Sequence, residues 1–98
     1  MRKLYRFDTP EQLKDAQPLC KECGVLTVAR VWNANRNKGG ACPWDGNIMA
    51  SFYTQDGKNR AVVIRIDTMG ELHEVATLKL TPALAWCKER LTEIPAQT

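Results

Sequence analysis

A single histidine, no long apolar run and few aromatic residues set the first limits on this 98-residue chain. With one histidine, any Ser-His-Asp or Cys-His arrangement must run through His73, and nothing in the sequence places Ser51 or a cysteine beside it. Asn37-Lys38-Gly39-Gly40 has glycines but lacks the length and the Lys-Ser/Thr ending of a phosphate-binding loop. These absences predict that the protein is not an enzyme. No apolar stretch approaches the roughly 20 residues that a membrane helix needs. The opening Met1-Arg2-Lys3-Leu4-Tyr5-Arg6-Phe7-Asp8 begins with charge and never reaches the apolar core of a secretory leader, which predicts a cytoplasmic protein. Internal repeats and low-complexity tracts are also missing.

Length and composition point to one domain over 1–98 with a core of its own. A chain that is 44% hydrophobic and 26% charged is not globally disordered. The net charge of +3 is unevenly spread. Residues 1–60 carry ten Lys/Arg against six Asp/Glu, whereas residues 61–98 carry four against five. The basic excess therefore lies in the part that also holds Cys20, Cys23 and Cys42.

Alternation over residues 2–7 predicts a first strand with Lys3, Tyr5 and Phe7 on one side, the aromatic side inward. Thr9-Pro10-Glu11-Gln12 reads as a helix start with a capping box, and Pro18 limits that helix to about two turns. Val25–Ala34 does not segregate on a helical wheel, and its Val, Thr and Trp content favours a strand. Asn35 to Gly40 has loop composition. Asn47–Thr54 and Asn59–Asp67 read as a hairpin joined through Asp56-Gly57, with the second a central strand. Leu72 to Leu80 alternates as a further strand. A last helix is capped by Thr81 and started by Pro82, with Leu84, Cys87, Leu91 and Ile94 on its inner face. The order expected is β-α-β-β-β-β-α: an α+β fold with a small antiparallel meander, a short N-terminal helix and a C-terminal covering helix.

Four cysteines without a leader suggest metal or reduced thiols rather than disulfides, with four small core residues as the plain alternative. Their spacing favours metal. Cys20-x-x-Cys23-Gly24 can bring two sulfurs to one tetrahedral ion, and the glycine relieves the backbone after the turn. Eighteen residues further on comes Cys42-Pro43-Trp44-Asp45-Gly46, with Asp45 where a second cysteine would stand. The stretch from Cys20 to Gly46 resembles a degenerate zinc ribbon, a family that pairs two Cys-x-x-Cys-Gly knuckles at the ends of β-hairpins. The resemblance covers about a quarter of the chain. It implies a structural zinc held by Cys20, Cys23, Cys42 and Asp45 in a ribbon-like loop region. An aspartate oxygen is a competent zinc ligand, and His73 or Cys87 are the alternatives for the fourth position. A redox dithiol at Cys20 and Cys23 is a further reading, for which Pro18 and Gly24 are poorly suited.

Around the knuckles lie Arg30, Trp32, Arg36, Lys38 and Trp44, cations for phosphates and rings for bases. Zinc ribbons commonly serve nucleic-acid machinery, so the resemblance implies the same partner class. The first functional expectation is a zinc-stabilised binding module that contacts nucleic acid or a nucleic-acid-processing complex. The second is a protein–protein adaptor or inhibitor of the compact kind encoded by phages and mobile elements.

Overall fold

A computed structural model of the chain describes residues 2–21, 24–37, 47–67 and 69–95. Strand β1 (Arg2–Arg6) leads into helix α1 (Pro10–Asp15), then a 3-10 turn (Gln17–Leu19) and helix α2 (Gly24–Asn37). Strands β2 (Ile48–Gln55), β3 (Lys58–Ile66) and β4 (Leu72–Thr77) follow, then helix α3 (Leu80–Arg90) and a short strand β5 (Thr92–Ile94). The five strands form one antiparallel sheet in the order β4-β3-β2-β1-β5. The fold is α+β, with the β2–β3–β4 meander forming one side of the sheet and β1 and β5 the other.

Local chemistry accounts for the well-read elements. At α1, the Gln12 N–H donates to Thr9 Oγ1 at 3.3 Å and the Thr9 N–H to Gln12 Oε1 at 3.2 Å, a complete capping box. In the β2–β3 hairpin, Asp56 and Gly57 both take positive φ (53° and 76°). Only residues tolerant of that region close a two-residue turn whose twist matches the strands.

Three expectations are corrected. The segment expected as a strand at Val25–Ala34, and the loop expected from Asn35, are largely the single helix α2. Its buried residues Val25, Val28, Ala29 and Trp32 follow the i, i+3, i+4, i+7 spacing of one helical face. Leu26 and Val31 fall outside that face and blur the pattern on a wheel. The ribbon-like loop region therefore contains a helix between its two half-motifs, where a ribbon would place hairpin strands. At α3, Lys79 rather than Thr81 is the N-cap, and Pro82 sits in the first turn, where its missing N–H costs nothing. Ile94 belongs not to this helix but to β5, which pairs with β1 through Leu4↔Ile94 and Arg6↔Thr92.

The core lies between the helices and one face of the sheet. Tyr5, Ile48, Ala50, Phe52, Ala61, Val63 and Ala76 point to it from the strands. Leu13, Val28, Trp32, Ala83 and Cys87 meet them from the helices. The outer edge of β4 is covered where it adjoins the helical layer. Lys21 N–H donates to the Thr77 carbonyl and Lys79 N–H to the Leu19 carbonyl, both at 2.8 Å. Just beyond, Gly24 sits so close to the Val75 carbonyl that a Cβ there would collide with it. Gln17 Oε1 accepts the Leu26 N–H at 2.8 Å, satisfying one of the first-turn donors of α2.

Candidate docking face

The helices cover one face of the sheet only. On the other, strand registers set side chains into rows. Leu4, Ser51, Val62 and Thr77 form one row, and Arg6, Met49, Ile64 and Glu74 the next. Arg2, Tyr53 and Arg60 make a row at one end, Ile66 and Leu72 a pair at the other. Most of these residues line a broad, shallow depression of about 800 Å3. Among the described residues, no helical residue is in its lining.

Sequence and exposure disagree at this face. Ala61-Val62-Val63-Ile64 is apolar on both parities, the pattern of a strand covered on both sides. An antiparallel sheet with one solvated face ordinarily alternates apolar with polar. Here Val63 is buried beneath the helices, while Ile64 and Ile66 on the other face are only half-buried and Leu72 is 60% exposed. Val62 is buried too, at 1% exposure, and lies outside the main core cluster.

Longer side chains on this face make a polar rim. The Arg60 guanidinium lies 5.9 Å from the centre of the Tyr53 ring, and Arg60 Nη1 donates to Gln55 Oε1 at 3.1 Å. Tyr53 Oη donates to Glu74 Oε1 at 3.4 Å, across the β3 strand between them. Arg6 Nε pairs with Asp8 Oδ1 at 3.0 Å. A surface of this type, aliphatic in the middle and charged around it, has the anatomy of a protein-binding patch. A nucleic-acid platform would expose several aromatic rings for stacking, and among the described residues of this lining Tyr53 alone is aromatic.

The residues singled out in the sequence are placed as follows. Cys20 is half-buried, forms an isolated bridge to Leu78, and its Sγ donates to the Ala16 carbonyl at 3.5 Å. Cys23, Cys42 and Asp45 lie outside the described residues, as do Lys38 and Trp44. Arg36 falls within the backbone of α2, and Arg30 is exposed on that helix. Trp32 is 0% exposed in the core. Its ring fills the space between α2 and the sheet and offers no face to a base, a correction to its expected stacking role. Cys87, an alternative ligand, is 1% exposed, and burial pushes its thiol up to about 12. A metal takes the thiolate, which this site disfavours.

His73, the other alternative, lies in a separate group with Asp67 and Glu71 at the β3–β4 turn. One donor atom from each comes within 4.8 Å of the others, close enough to ligate one cation. The turn already employs both oxygens of Asp67. Its Oδ1 accepts the N–H groups of Met69 and Glu71, each at 2.9 Å, and its Oδ2 meets His73 Nε2 at 2.8 Å. The His73 hydrogen bond, followed by the backbone ones, holds the Asp67 carboxyl below its ordinary range. These contacts describe a lock on the hairpin end.

The sequence reading did not single out Leu4, Met49, Ile64, Ile66 and Leu72 as a site. Their signal is the double-sided apolarity of β3, a pattern that predicts a central strand and leaves open what covers its second face. Comparison with family models, with characterised proteins and with solved structures returned no match to this chain.

Proposed function

We propose that the protein is a binding module that docks another polypeptide surface through the open face of its sheet, with no catalytic machinery of its own. One observation supports this above the others: β3 is apolar on both faces, and the helices cover only one. Leaving Ile64, Ile66 and Leu72 in water forgoes burial worth roughly 25 cal/mol per Å2, which a partner surface would recover. The reading favours the adaptor or inhibitor over the nucleic-acid module, because Trp32 is spent on the core and the face is aliphatic.

Affinity capture with the tagged chain, compared with Ile64→Arg and Leu72→Arg, tests it. Leu72→Arg alters the most exposed of these positions and leaves the fold unburdened. The expected result is a polypeptide retained by the parent chain, lost from both variants and little affected by added salt. Retention of nucleic acid that salt elutes, unchanged in these variants and abolished by charge reversal at Arg36 and Lys38, would overturn it. The basic segment around α2 would then be the functional surface.

A further inference from the structure

Resting on the reading of the open face as a docking surface, we infer that the surface it takes is a second copy of this chain, packed face to face about a two-fold axis along the strands.

The inference comes from the order of charges in one row. Registers Arg6↔Met49, Met49↔Ile64 and Ile64↔Glu74 align four side chains across β1, β2, β3 and β4. Read across, the row is a cation, two apolar residues and an anion. A two-fold axis running between β2 and β3 sets Arg6 opposite the second copy's Glu74 and Met49 opposite its Ile64. The same operation makes each contact twice, as an isologous interface requires. The neighbouring row, Leu4, Ser51, Val62 and Thr77, has no formal charge, so the centre can close without stranding an ion.

The chemistry at the row ends suits this pairing. Arg6 uses Nε for Asp8, and a guanidinium has further donors in its fork for a second carboxylate. Glu74 takes the Tyr53 hydroxyl on Oε1, and a carboxylate has capacity for more donors on its other oxygen. Both residues are exposed at the rim. Stacking of two sheets in near alignment is an ordinary sandwich geometry. Strands about 4.8 Å apart give a patch on the order of 20 Å across. That is toward the lower end of stable interfaces, so a weak, concentration-dependent dimer is expected.

Sedimentation equilibrium over a concentration series, from low micromolar to near-millimolar, is the test. Four chains are compared: the parent, Arg6→Glu, Glu74→Arg, and the two together, each checked for native circular dichroism. The expected result is a parent chain that dimerises, single variants weakened about tenfold or more, and recovery in the double variant, whose charges are exchanged but again complementary. A parent that stays monomeric throughout overturns the dimer and leaves the docking reading to the capture experiment, where a different polypeptide would be retained. A dimer indifferent to both single changes, or not restored by the exchange, also overturns it.

Discussion

At the scale of single residues, Cys87 shows how burial decides chemistry. Its side chain is enclosed under α3, and desolvation raises the thiol from an ordinary 9.0 to about 12. The folded chain keeps that proton over a range in which the unfolded chain releases it. The stability contributed is therefore complete below about pH 8.5 and declines as pH rises toward the folded value, by up to about 1.4 kcal/mol per pH unit. Urea titrations near pH 8 and near pH 10.5 should show a larger loss for the parent chain than for Cys87→Ala. Equal losses would mean that the thiol is accessible to water. The sequence reading had Cys87 on the inward face of the last helix, and that placement holds. Ala83, one turn before it, is fully buried beside it, while Leu84 packs against the core only in part.

Among the elements, α2 departs most from its local preferences. Val25, Thr27, Val28 and Val31 favour extended backbone by side-chain shape, by a few tenths of a kcal/mol each. The burial of Val25, Val28, Ala29 and Trp32 against α1 and the sheet outweighs that preference. The seat on β4 needs Gly24, whose α-carbon lies against the Val75 carbonyl. In an unobstructed helix, Gly→Ala stabilises by up to about 1 kcal/mol. Here Gly24→Ala should destabilise by about 1–3 kcal/mol, since either the carbonyl or the helix must shift. Thermal melts of the two proteins give the sign directly. A higher midpoint for Gly24→Ala would mean that α2 does not rest on this edge. The contrast with α1 is instructive: its capping box, Pro10 and Pro18 lie within a few residues of one another and were legible without any partner. The donor that Gln17 caps on Leu26 spans nine positions and leaves no such local trace.

For the molecule as a whole, the open question carried over from the sequence is what the cysteines do. Zinc at Cys20, Cys23, Cys42 and Asp45 is proposed on the spacing of the two half-motifs. Cys20 would join that site to the covered edge of β4 through its bridge to Leu78. Native and denatured masses of freshly purified protein decide the matter. One zinc per chain, lost on denaturation and absent in Cys23→Ser, is the expected outcome. A metal-free mass that added zinc leaves unchanged would remove the site and leave reduced thiols. The docking proposals stand on the sheet and are indifferent to which outcome is found.

What the sequence determined by itself was everything governed by short range. The α+β class, α1 with its cap and the β2–β3 hairpin through Asp56-Gly57 each rest on alternation, turn residues or caps within a few positions. The strand expected over Leu72 to Leu80 ends instead at Thr77 with a register shift opposite Val63/Ile64, and α3 starts without its expected Thr81 cap. The tertiary structure decided the rest. Residues 24–37 became a helix because the sheet offered a surface for one helical stripe, a gain invisible to propensity. Thr92–Ile94 became a strand because β1 had an edge to pair with. The open face emerged only when all three helices were found on one side, since apolar periodicity records that a residue prefers cover but not what supplies it.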